Sequence, residues 1–98
     1  MLIRIVRMTF QKDKTESFLE VFNESKQSIR HFPGCHHLTL MQDCNDPAVF
    51  ITYSHWDDEH ALNAYRHSEL FAEVWAATKA LFSAKPVAFS MQIHTETD

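Results

Sequence analysis

Apolar residues recur along this chain with two different periods, and the switches between them mark its elements. Leu2-Ile3-Arg4-Ile5-Val6-Arg7-Met8-Thr9-Phe10 is dense in apolar and β-branched side chains and reads as a first strand. In the polar stretch that follows, Asp13 is placed as an N-cap, and Glu16 three residues on completes a capping box. Phe18, Phe22, Ser25, Ile29 and Phe32 then fall at helical spacing, with Leu19 and Val21 widening the stripe, until Pro33-Gly34 stops the helix. Residues 35–42 form a second strand and 49–56 a third, joined as a hairpin through Asp43-Cys44-Asn45-Asp46-Pro47. Asp57-Asp58-Glu59 supplies a cap and first-turn negative charge for a short helix to about Arg66. Ser68 caps a further helix with Phe71, Val74, Trp75, Thr78, Leu81 and Phe82 on one face. After Pro86, residues 87–93 read as a fourth strand, and 94–98 are a polar tail.

The order β-α-β-β-α-α-β predicts an α+β, ferredoxin-like sandwich over residues 1–93, an antiparallel sheet with its helices on one face. A sheet with one wet face alternates apolar and polar residues. These strands do not: Val49, Ile51 and Tyr53 oppose Phe50 and Trp56, and Ile3 and Ile5 oppose Leu2, Val6 and Met8. The helices can cover only one face. A twofold copy of the same sheet is the simplest cover for the other, so the expected assembly is a homodimer.

Composition sharpens this picture. Eight Phe and two Trp against one Gly give a 98-residue domain enough large aromatics to fill a core and leave apolar surface for a partner. A net charge of −4, with nine basic residues scattered, argues against nucleic acid. No run approaches the roughly 18 apolar residues of a membrane span. Met1 leads into a strand with no signal-peptide pattern, so no membrane partner and a cytoplasmic location are expected. Cys35 and Cys44 lack C-x-x-C spacing and read as two free thiols.

Five segments together resemble the antibiotic-biosynthesis-monooxygenase (ABM) domain, within the dimeric α/β-barrel superfamily, over about residues 1–93. They are Arg4-Ile5-Val6-Arg7-Met8, Phe32-Pro33-Gly34-Cys35, Tyr53-Ser54-x-Trp56, Tyr65-Arg66-x-Ser68-x-x-Phe71-x-x-x-Trp75 and Lys79-x-x-Phe82. The resemblance implies a ferredoxin-like sandwich that pairs into a dimeric α/β barrel. Its activities include oxidation of quinols and polyketide phenols with O₂ and neither metal nor flavin, haem degradation, and processing of small autoinducer sugars. The haem-degrading members use an Asn on the first strand, a Trp on the short helix and an iron-ligating His on the last helix. Those places hold Val6, Tyr65 and Trp75 here, and an indole nitrogen only donates, so haem degradation is not expected.

Tyr65 and Trp75, on consecutive helices, are expected to wall a flat apolar pocket with Phe71, with Val6 facing it from the first strand. The same spacing also suits plain core. Arg66 is a candidate partner for a ligand phenolate or carboxylate; the alternative is a surface arginine paired with Glu59, Glu69 or Glu73. The candidate bases are His37, placed on the parity of Cys35, Thr39 and Met41, and His67, with the Tyr65 hydroxyl as the third catalytic candidate. Either histidine equally suits a partly exposed structural role. His36 and His37 face opposite sides, and no H-E-x-x-H is present, so no metal site is expected. No basic cluster suited to a phosphorylated sugar is visible. The expected function is cofactor-independent monooxygenation of a quinol or polycyclic phenol by O₂. The alternative is a non-catalytic small-molecule-binding or interaction dimer of the same fold.

Overall fold

Strands β1 (Leu2–Thr9), β2 (Cys35–Gln42), β3 (Val49–Trp56) and β4 (Val87–Gln92) form one sheet in the order β2-β3-β1-β4 in the computed structural model, which describes residues 1–98. Every neighbouring pair is antiparallel. Helices α1 (Thr15–Arg30), α2 (Glu59–Arg66) and α3 (Glu69–Lys79) lie on one face, giving the ferredoxin-like α+β architecture. None of the three is long and apolar enough to cross a membrane.

Beneath the helices the core is split in two. Met8, Phe10, Phe18 and Phe50 pack at one end of the β1–β3 pair, with Phe10 and Phe18 stacked at 4.1 Å. Cys35, Trp56 and Leu62 pack at the other end, and Tyr65 stacks on Trp56 at 5.0 Å. Between these clusters the register pairs Arg4 with Ser54 and Ser90, and Val6 with Thr52 and Ala88. The middle of the covered face therefore carries small or polar side chains where its ends carry large rings.

The caps of α2 and α3 follow the sequence. Asp58 accepts the Ala61 N–H at 2.8 Å, and Ser68 accepts the Phe71 N–H at 3.1 Å. The α1 cap does not. A turn closed by the Lys14 N–H on the Gln11 carbonyl moves the boundary one residue on, so Lys14 is the N-cap and no side chain caps the helix. Asp13 then lies outside, and Glu16 falls one position short of completing a capping box. At the other end of the helical region, α3 ends at Lys79, so Phe82 reaches the core by bridging to Phe10 and not from the face of α3.

A second departure occurs in β2. Cys35 pairs with Trp56 but His37 pairs with His55, so two residues of β2 oppose one of β3 in a β-bulge. The bulge breaks the expected parity: Cys35 faces the helices, while His37, Thr39 and Met41 face away.

The face away from the helices carries Ile3, Ile5, Ile51, Tyr53, Phe89 and Met91, with no layer over it in the single chain. Val87, Phe89 and Met91 are 51%, 44% and 44% exposed there. Val49 shares the parity of Ile51 and Tyr53 but is buried where the Asp43–Ala48 turn closes against the start of β3, its N–H bonded to the Asp46 carbonyl. Cys35 is buried, Cys44 is exposed, and both are free thiols.

The lone glycine holds the α1–β2 corner. Gly34 has φ +89°, and a Cβ there would lie 2.6 Å from the Ala61 Cβ on α2. Gly34→Ala is expected to lower stability by about 2 kcal/mol or more, since it adds left-handed strain to a clash with the Ala61 side chain. Chemical denaturation checks this: adding Ala61→Gly should recover only the clash portion, and full recovery would show that φ imposes no cost.

Candidate functional site

The split core leaves a cavity of about 290 Å³ between helices and sheet, at the low end of the range for ligand sites. Its floor is formed by the short side chains Val6, Thr52, Ser54 and Ala88 of β1, β3 and β4, with the longer Arg4 among them. Its walls come from α2 and α3, as Tyr65, Arg66, Phe71, Val74 and Trp75. All five positions proposed from the sequence as substrate-binding, Val6, Tyr65, Arg66, Phe71 and Trp75, thus border one cavity. Arg4, Thr52 and Ser54 were missed. The signal for Thr52 and Ser54 is the helix-facing parity of β3, Phe50-Thr52-Ser54-Trp56, in which two small polar residues sit between two large rings; Arg4, on β1, has no such signal.

The aromatic walls are locked by one another. Tyr65 meets Phe32 and Phe71 edge-on at 5.4 and 5.2 Å, Phe71 stacks on Trp75 at 5.7 Å, and Trp75 meets Phe82 at 5.6 Å. This chain of rings joins the two core clusters along the helix side of the cavity, so its walls are preformed. The Ser68 hydroxyl, while capping α3, also donates to the Tyr65 carbonyl at 2.6 Å. One residue therefore fixes both the break between the helices and the angle between Tyr65 and Phe71. On the floor, the buried Trp56 indole N–H donates to the Ser54 hydroxyl at 2.9 Å.

Only three titratable side chains border the cavity: Tyr65, Arg4 and Arg66. Burial pushes the Tyr65 phenol up to about 12, with the nearby Cys35 adding to the effect, so it is a neutral hydrogen-bond donor at physiological pH. Burial and then the Arg66 charge both lower the Arg4 pKa, placing the two guanidiniums within each other's field. Arg4 donates to the Ser90 hydroxyl at 3.1 Å. The single ion pair in the molecule is His36–Asp57, so Arg66 has no partner among Glu59, Glu69 and Glu73.

Neither histidine candidate lies in this cavity. His67 caps the C-terminus of α2, its ring Nδ1–H donating to the Asn63 carbonyl at 2.7 Å, and its side chain is exposed. His37 stands on the uncovered sheet face with Tyr53 and His55, ring centroids 5.0 Å from His55. There the His55 Nε2 is buried without a hydrogen-bond partner, and burial, followed by the neighbouring His37 and His36, lowers its pKa. Cys35 is no nucleophile: burial raises its pKa, and its thiol donates weakly to the His37 carbonyl. No three His, Cys, Asp or Glu side chains converge as metal ligands.

A ferredoxin-like sheet with a preformed aromatic cavity under three helices defines the class of protein. The sequence signature described as Antibiotic biosynthesis monooxygenase matches residues 1–77, and the chain belongs to that family. A crystal structure described as an antibiotic biosynthesis monooxygenase superposes with TM-score 0.91 at 22% identity, covering 97% of this chain and 100% of that one. Rv0793 from Mycobacterium tuberculosis superposes with TM-score 0.88 at 14% identity over 99% and 98% of the two chains. PA3566 from Pseudomonas aeruginosa does so with TM-score 0.84 at 21% identity over 96% and 94%. At such identities these likenesses speak to the fold. No curated protein matches the chain.

The buried phenol makes a prediction about alkaline stability. An unfolded tyrosine ionises near ~10, and Tyr65 when folded near 12. The stability gained by keeping it neutral is fully present below about pH 10 and is lost as pH rises towards 12, on the order of 2–3 kcal/mol. Tyr65→Phe should remove this steep loss, which urea midpoints measured across that range would reveal. Parallel losses in both proteins would mean that the hydroxyl is solvated.

Proposed function

We propose that the chain is a cofactor-independent monooxygenase that oxidises a quinol or polycyclic phenol with O₂ in the cavity bordered by Tyr65, Arg66, Phe71 and Trp75. The observation that carries this reading is the make-up of that cavity: flat aromatic walls, one neutral phenol donor and two cations, with no carboxylate or imidazole. Such a site favours an aromatic ligand in its anionic form. Its volume favours the smaller members of the substrate class.

The chemistry follows from that preference. The cations and the Tyr65 hydroxyl stabilise the substrate phenolate, lowering its pKa so that its proton leaves to solvent. The electron-rich ring passes one electron to O₂, and at a para carbon that bears hydrogen the radical pair combines to a peroxide anion, which takes a proton back from solvent to give a hydroperoxide. Loss of water from that carbon, taking its hydrogen and the distal oxygen, leaves a quinone. One oxygen atom enters the product and the other leaves as water. The protein binds, orients and excludes bulk water, and no side chain is oxidised. A second copy would cover the apolar sheet face opposite the helices, so the working form is proposed to be a homodimer.

Oxygen uptake with a panel of dihydroxynaphthalenes and anthrones tests the reading, and no uptake above background would sink it. Tyr65→Phe is expected to lower kcat about a hundredfold, the usual effect of deleting one oxyanion donor. Trp75→Phe should act mainly on KM. The pH profile should rise with ionisation of the substrate and show no falling limb below the Tyr65 pKa of about 12. The alternative, a binding dimer without turnover, is favoured by the absence of any acid–base pair in the cavity; it predicts ligand binding with no oxygen consumption.

The dimer has its own test. Sedimentation should report twice the 11.5 kDa chain mass, and Phe89→Glu, on the half-exposed apolar face, should halve it. A wild-type monomer at micromolar concentration would contradict the assembly.

A further inference from the structure

The geometry points to an aromatic acid as the ligand, with its carboxylate gripped jointly by Arg4 and Arg66 while its ring lies against Phe71 and Trp75. This deepens the proposed function and rests on the cavity being the substrate site.

Three observations converge on it. Arg4 stands at the centre of the sheet, paired across the strands with Ser54 and Ser90, a position otherwise given to small or apolar side chains. It is only partly exposed, and its guanidinium is tied to Ser90 Oγ at 3.1 Å, which aims the side chain across β4 and leaves its other donors free. Arg66, at the last turn of α2, borders the same cavity. The Arg66 charge reaches Arg4, where it adds to burial in lowering the Arg4 pKa, and an anion bound between the two would relieve that repulsion.

The chain has the means to neutralise them and does not. It carries 13 acidic residues, yet neither arginine has a carboxylate oxygen within 4.0 Å. The missing anion is therefore expected from the ligand. Guanidinium forks match a planar carboxylate bidentately, and the flat aromatic walls match a planar ring attached to it. A phosphorylated sugar would present the anion without the ring, and would leave Phe71, Val74 and Trp75 facing hydroxyl groups. Tyr65, the residue before Arg66, borders the same cavity, so a ring hydroxyl on the bound acid has the phenol donor within that cavity.

The test is equilibrium binding to the purified full chain without oxygen, followed by intrinsic tryptophan fluorescence or calorimetry. The probes are a hydroxynaphthoic acid, the corresponding naphthol and naphthyl phosphate. The acid is expected to bind about tenfold to a hundredfold tighter than the naphthol, the range for a charge-assisted hydrogen bond, and to weaken with added salt. Arg66→Gln, at an exposed site, should fold normally and erase most of that preference; Arg4→Gln should do the same, and thermal melting establishes that it folds. Equal affinity for acid and naphthol, or a preference that survives in the folded double variant, would overturn the proposal. Naphthyl phosphate bound tighter than the acid would overturn the carboxylate assignment. Turnover is not read, so a chain that selects the acid yet never consumes oxygen leaves this inference standing and removes only the oxygenase.

Discussion

Everything in this molecule depends on where bulk is missing from the covered face of the sheet. Along β3 the helix-facing positions run Phe50, Thr52, Ser54, Trp56; β1 places Arg4 and Val6 beside the middle pair, and β4 sets Ala88 beside Val6. Large rings at both ends hold the helices off the sheet, and the short side chains between them cannot reach up to fill the gap. Close packing is the rule in protein interiors. A cavity of 290 Å³ in a 98-residue domain therefore forgoes dispersion contacts that a Leu or Phe at position 52 or 54 would have supplied. Such a gap persists because the posts around it are rigid.

That rigidity is local in origin. Ser68 ends one helix and starts the next, donating to the Tyr65 carbonyl and accepting from the Phe71 N–H. The two rings it spaces then meet edge-on, and each is stacked on a tryptophan, Tyr65 on Trp56 and Phe71 on Trp75. Trp56 is in turn pinned through its indole N–H to Ser54 on the cavity floor. Wall and floor are thus coupled by one hydrogen bond and a run of ring contacts, none of which requires a ligand to form.

The sequence made some of this plain and hid the rest for physical reasons. Element order and the caps at Asp58 and Ser68 depend on residues close in the chain, and local patterns report them well. The same holds for Tyr65, Phe71 and Trp75, whose shared side follows from helical spacing across one capped break. The β2 bulge was not legible, because a one-residue slip in pairing leaves no mark in composition and reverses which face His37 occupies. The α1 cap failed because a hydrogen-bonded turn competed with Asp13 for the boundary. Arg4 was hidden by its surroundings: in a strand of Ile, Val and Met it reads as an edge charge. Only the register that sets it between Ser54 and Ser90 reveals it as part of the cavity.

Charge at the cavity runs against charge over the whole chain. The protein carries −4 overall, yet every ionised group bordering the cavity is positive. Long-range attraction for an anion is therefore weak or reversed, and selection must come from contact, where partial burial strengthens the field of the Arg4 guanidinium. The neutral Tyr65 suits the same end. A phenol whose pKa is held near 12 donates to an anion without competing to become one. A site with no base of its own can still favour deprotonation, because the equilibrium responds to how well the product anion is held. Under the proposed function the reactive group would be the ligand's own ring, with the protein contributing an apolar slot that has positive charge at its edge.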